Sequence, residues 1–188
     1  MFVLGIDPGI SRCGYGCVEA NGRGGRAVSV GVLTTPPTDP LPQRLAQLGT
    51  DLEALLAELR PDAVAVERLF FQVNARTAMA VGQASGLVLA SAARAGCEVA
   101  QYTPNEVKEA VAGYGAAPKA QMQRMVQALL GLPEPPRPPD AADALGLALC
   151  HIASAPLRAR LAGRAPVSGP GGRSQPTVTG RPREEVDL

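Results

Sequence analysis

Four acidic residues carry the chemistry open to this chain. Asp7 and Glu67 each close a short apolar run, Phe2-Val3-Leu4-Gly5-Ile6 and Ala63-Val64-Ala65-Val66, while Asp140 and Asp143 open a late helical pattern in Pro139-Asp140-Ala141-Ala142-Asp143-Ala144-Leu145. Asp-Pro-Gly ends the first run because proline fixes its own backbone and glycine permits the turn, which leaves Asp7 projecting from a strand end. Near-continuous apolar character in the second run marks a strand covered on both faces, with Glu67 at its carboxyl edge. Asp140 and Asp143 lie three residues apart, so on a helix their Cβ atoms are roughly 5–6 Å apart, and both are expected in a first turn, where the dipole favours anions. Taken singly, these acids have ordinary readings: Asp7 as a turn carboxylate bonding its own backbone, Asp140 and Asp143 as capping residues. Taken together they imply a cation. Each pair of carboxylates brought to about 4 Å costs on the order of 4 kcal/mol at an effective dielectric of 20. Oxygen-only donors with no Cys or His cluster beside them suit Mg²⁺ or Mn²⁺ and not zinc.

Such convergence needs a scaffold, and the pattern supplies one. The first strand is followed by Gly14 to Ala20 and Ala27 to Thr34 around Asn21-Gly22-Arg23-Gly24-Gly25, a hairpin that makes the first three strands antiparallel. Leu41, Leu45, Leu48, Leu52, Leu55, Leu56 and Leu59 recur at helical spacing up to Pro61. The Glu67 strand comes next, then an Ala-rich helix over residues 74–95 capped by Gly96. Its Gly82, Ser85 and Gly86 form a small-residue patch that serves either packing within the chain or contact with a second copy. Cys97 to Tyr102 is a fifth strand, Thr103-Pro104-Asn105-Glu106 is a capping box, and further helices cover residues 118–130 and 140–154. The fold class is α/β: a mixed five-stranded sheet flanked by helices in three layers, with carboxyl ends of strands gathering the functional groups. Residues 1–155 form this domain. Residues 156–188 are a Gly/Pro/Arg-rich tail without apolar periodicity, expected to be largely disordered, and read either as a phosphate-attracting arm or as a solubilising extension.

Charge and cysteine usage narrow the class. The net charge is +1, with 12 Lys/Arg against 14 Asp/Glu in residues 1–155 and 6 against 3 in the tail. Setting aside the four acids leaves the body at 12 against 10, and bound divalent ions would make the site's face cationic although the total is nearly neutral. Cys13, Cys17, Cys97 and Cys150 show no metal-binding spacing and read as small buried hydrophobes of a reducing compartment. His151, the single histidine, reads as structural, with catalysis as a minor alternative. No apolar stretch spans a bilayer and no charged leader precedes Phe2, so a cytoplasmic protein without membrane association is expected.

The ordered set of motifs resembles a known family. Leu4-Gly5-Ile6-Asp7-Pro8-Gly9 with Gly14-Tyr15-Gly16, then Glu67 with Phe70, then Val111 through Lys119, and finally Asp140-Ala141-Ala142-Asp143-Ala144-Leu145 are similar in register to the RuvC Holliday-junction endonucleases over roughly residues 1–155. That resemblance implies an RNase H-like fold and a metal site of Asp7, Glu67, Asp140 and Asp143. It also implies a homodimer that resolves four-way junction DNA by symmetric nicking in recombination and repair, with the RuvA–RuvB branch-migration complex as partner.

Lys108 and Lys119 are the two lysines of the chain, and by spacing alone either is an ordinary solvated residue. The resemblance moves both to DNA contact and Lys119 also to catalysis. It moves Phe70 to a stacking role at the crossover, leaving Phe71 in the core. Arg76, and more weakly Arg12 and Arg68, are candidates for contacts to the phosphate backbone. In the expected mechanism two divalent ions held by the four acids activate water for in-line attack, replacing the general base that a histidine-poor chain lacks, while Lys119 stabilises developing charge.

Three other readings fit the sequence less well. An actin-like or sugar-kinase ATPase needs two such domains and a second phosphate loop, which do not fit 188 residues. A nuclease-fold relative acting on RNA precursors would lack this spacing of Glu67, Lys119 and the Asp140–Asp143 pair. A non-catalytic junction-binding protein would not keep all four acids.

Overall fold

The computed structural model describes residues 1–21, 24–68, 75–161 and 184–185, with side chains from 75 to 78 and of 159, 161 and 184–185 left aside. The elements run β1 (Phe2–Asp7), β2 (Arg12–Glu19), β3 (Arg26–Thr34), α1 (Leu41–Leu59), β4 (Ala63–Glu67), α2 (Ala75–Arg94), β5 (Glu98–Tyr102), α3 (Pro104–Ala112), α4 (Lys119–Leu130), α5 (Pro139–Leu161) and β6 (Glu184–Glu185). The sheet order is β5-β4-β1-β2-β3-β6. β1, β2 and β3 are antiparallel neighbours, and β4 and β5 add in parallel on the other side of β1.

Strand alternation sorts the core into two layers. Leu4, Ile6, Val64 and Val66 face α1 and α2, packing with Leu48, Leu52, Leu55 and Ala84. Val3, Ala65 and Ala100 face the other way, toward Leu145, Ala148, Val107 and Val126 of α5, α3 and α4. β1 and β4 are therefore buried on both faces, which is why their sequences read as unbroken apolar runs.

The contact that sets the geometry of the site is α5 against β1 and β2. Gly5, Gly14 and Gly16 lie on the α5 face, where a Cβ would run into Ala144, Asp140 and Leu145 respectively. Lacking side chains there, the two strands let the helix backbone settle directly on the sheet. Capping follows the sequence: Thr103 accepts from the Glu106 N–H at 3.1 Å while the Glu106 carboxylate accepts from the Thr103 N–H at 2.7 Å, and Gly113 ends α3 at φ 83°.

Several details depart from expectation. α5 starts at Pro139, so Asp140 lies in its first turn and Asp143 begins the second. The helix continues through Pro156 to Leu161, because a proline removes one backbone hydrogen bond near the end of a helix already anchored by its buried face. A sixth strand, Glu184–Glu185, pairs antiparallel with Gly31 and Val32 on the free edge of β3. The small-residue patch on α2 divides: Ser85 is buried, whereas Gly82 and Gly86 have nothing within 4 Å of their Cβ positions. His151 is buried, with Nδ1 2.9 Å from the Tyr102 hydroxyl, and burial lowers its pKa from 6.5, as suits a neutral structural imidazole. All four cysteines are free thiols. No helix among the described residues is long and apolar enough to cross a membrane.

Candidate active site at the carboxyl ends of β1 and β4

Asp7 and Glu67 end neighbouring parallel strands. The β1–β4 register pairs Ile6 with Val66, so the two acids emerge side by side one residue further on. By alternation Asp7 shares the α5 face with Gly5, and Glu67 shares it with Ala65. Asp7 is also the register partner of Gly14, the residue against which the Asp140 backbone rests. The four acids thus meet where α5 begins.

Burial and the charges of the neighbouring acids act together on Asp7. Burial first, then the fields of Glu67, Asp143 and Asp140, push its pKa from 3.8 up to about 7, with Lys119 opposing. Glu67 is raised by burial and by Asp143, again with Lys119 opposing. Two cations hold the remaining acids. Arg12 Nε donates to Asp140 Oδ2 at 2.8 Å, and Lys119 Nζ donates to Asp143 Oδ2 at 2.8 Å. The bond to Asp143 is the main reason the Lys119 pKa is raised, so this lysine stays protonated and serves as a donor and fixed positive charge.

The donor set fits a hard divalent cation: four carboxylates, oxygen only, with the other three each raising the cost of ionising Asp7. Among the described residues no group of three or more His, Cys, Asp or Glu is already gathered to hold an ion, and Asp140 Oδ2 and Asp143 Oδ2 are each engaged by a cation.

Of the other expected contacts, Lys108 is half-buried on α3 and Arg68 is exposed just beyond β4. Phe70 and Phe71 lie outside the described residues, as does the side chain of Arg76, which stands in the first turn of α2. The Arg12–Asp140 pair is the feature that sequence reasoning missed, having placed Arg12 only as a backbone-contact candidate. Its signal was present: Arg12, Gly14 and Gly16 are spaced by two and share the α5 face of β2. A cleft of about 1220 Å³ opens at the far end of the sheet, lined by Phe2, Arg26, Glu53 and Cys97 among others. It lies away from the acids, which sit on the opposite edge, and Arg26 there is already paired with Glu19 at 2.7 Å.

The raised pKa of Asp7 has a measurable consequence for stability. Because the folded value lies above the unfolded 3.8, ionised Asp7 costs stability above about pH 7, and that cost fades as the pH falls toward 3.8. In chelator at pH 8, Asp7→Asn should therefore be more stable than wild type by on the order of 1–2 kcal/mol, or roughly 2–8 °C in thermal midpoint. The advantage should shrink by pH 5; a variant less stable than wild type at pH 8 contradicts this electrostatic description.

A family model described as "Crossover junction endodeoxyribonuclease RuvC" matches residues 3–151. The RuvC crossover junction endodeoxyribonuclease of Moorella thermoacetica is 53% identical over 160 residues, 85% of this chain and 96% of the relative. That of Salinispora arenicola is 55% identical over 173 residues, 92% of this chain and 99% of the relative. The structure of Thermus thermophilus RuvC in complex with a Holliday junction substrate superposes with a TM-score of 0.80 at 41% identity, covering 84% of this chain and 96% of that one.

Proposed function

The chain belongs to the RuvC family of crossover junction endodeoxyribonucleases, and from that premise we propose that Asp7, Glu67, Asp140 and Asp143 are the centre at which it nicks Holliday junctions. It is an RNase H-like endonuclease of DNA recombination and repair. The observation that carries the site is the convergence of the acids on one strand end: sheet register sets Glu67 beside Asp7, and Gly14, the partner of Asp7, seats the Asp140 backbone at the same place.

In this reading the four acids hold two Mg²⁺ or Mn²⁺ ions. Bound there, such ions polarise the scissile phosphate and lower the pKa of water to supply a nucleophile. The chain's own residues do the rest. Asp7 and Glu67 are fixed by sheet register, and Asp140 and Asp143 by the docking of α5 on glycines. Lys119, the first residue of α4 and permanently charged, faces the negative charge that builds on the phosphate during attack. Lys108, Phe70 and Arg76 are assigned to DNA on the family's pattern. A histidine general base has no part, because His151 is buried against Tyr102.

Two copies acting on a two-fold junction give paired nicks, hence a homodimer. The outward glycines of α2, Gly82 and Gly86, with Met79 67% exposed beside them, suit the seam between copies. Partnership with the RuvA–RuvB branch-migration complex and a cytoplasmic setting belong to the same proposal, the latter supported by four free thiols.

The test is a synthetic four-way junction incubated with Mg²⁺ or Mn²⁺. Nicks should appear at symmetric positions in two strands and be sealed by ligase, with a linear duplex of the same sequence left intact. Equal cutting of the duplex would contradict junction selectivity.

A further inference from the structure

Arg12 lies at the head of β2, where alternation turns it, like Gly14 and Gly16, toward α5. Gly14 brings the Asp140 backbone against β2, and the guanidinium then reaches Asp140 Oδ2 at 2.8 Å. The pair is partly accessible, with side-chain exposures of 43% for Arg12 and 32% for Asp140, so a small ion can reach the same carboxylate. Arg12 and Asp140 come from elements 128 residues apart, and they meet only because the helix docks on the strand.

We infer that Arg12 is a built-in competitor for the divalent ion at Asp140: its guanidinium occupies one oxygen of that carboxylate and places a positive charge beside it, and so raises the concentration at which the site loads. This inference rests on the metal reading above and adds a residue to it. Two physical effects act in one direction. An ion binding at Asp140 has to displace a charge-assisted hydrogen bond at Oδ2 or share the carboxylate with it, and it also has to approach a fixed positive charge. The same bond ties the first turn of α5 to the head of β2. Lys119 does the same for Asp143, but the family pattern already gives it a part in the reaction. Arg12 is thus a positioning residue, acting through Asp140.

The experiment is calorimetric titration of the purified full-length chain with Mn²⁺ alone, without DNA, for wild type, Arg12→Ala, Arg12→Lys and Asp7→Asn. Arg12→Ala should bind Mn²⁺ roughly two- to fivefold tighter, the range that losing one exposed ion pair allows. Arg12→Lys, which keeps the charge, should fall back toward wild type. Mere structural damage would weaken binding, so a gain in affinity is specific to competition. Binding that is unchanged or weaker in a folded Arg12→Ala overturns the inference and leaves the metal site standing. No Mn²⁺ binding by wild type, or undiminished binding by Asp7→Asn, overturns both.

Discussion

Gly5→Ala is expected to lower the thermal midpoint by roughly 6–12 °C, the shift that about 3 kcal/mol produces in a domain of this size. Gly5 sits mid-strand in β1 on the face that α5 covers. An added Cβ would overlap the carbonyl oxygen of Ala144 and lie 2.9 Å from both the Ala144 carbonyl carbon and the Ala148 nitrogen. These are backbone atoms of a helix and cannot rotate aside as a side chain could, so the whole helix must retreat. Its retreat opens the layer where Leu145 and Ala148 pack against Val3 and Ala65. Any molecules that still fold carry Asp140 and Asp143 away from Asp7 and Glu67, so nicking falls along with stability. Thermal unfolding of the variant beside wild type measures the effect. A midpoint within a degree or two of wild type would mean that α5 does not rest on β1 as described.

This glycine shows what kind of information the chain holds locally. The apolar runs ending in Asp7 and Glu67 announced two buried strands, but their adjacency depends on sheet order, and only the pairing of Ile6 with Val66 makes the acids neighbours. The Asp140–Asp143 spacing announced a shared helix face, whereas the docking of that face depends on three glycines in other strands whose role is the absence of a side chain. Arg12 was legible as a cation but not as a partner of Asp140, because a contact across 128 residues leaves no mark in local pattern. Helix ends were the least legible. Pro156 reads as a stop, yet burial of Leu149, Cys150 and His151 anchors the preceding turn well enough for α5 to run on to Leu161. The pairing of Glu184–Glu185 with β3 had no apolar signal at all, since a two-residue edge strand uses backbone hydrogen bonds and needs no hydrophobic face.

Asp7→Asn carries the second large expectation, because it touches the one acid that all the others perturb. Asparagine keeps the size and one oxygen of the side chain but removes the charge that would hold a cation between β1, β4 and α5. If the four carboxylates form the reaction centre, this change should cost about 4 kcal/mol of transition-state stabilisation, or roughly a thousandfold in rate. Recognition of the junction should be left alone, since Lys108, Lys119 and the arginines keep their charges and the relief of repulsion at Asp7 favours the fold.

The most direct measurement is therefore paired, on one preparation of Asp7→Asn: its binding to a synthetic four-way junction and its nicking rate on that junction in Mg²⁺ or Mn²⁺. Wild-type binding with nicking reduced about a thousandfold is the predicted result. Nicking at the wild-type rate would contradict the assignment of the centre to these four acids.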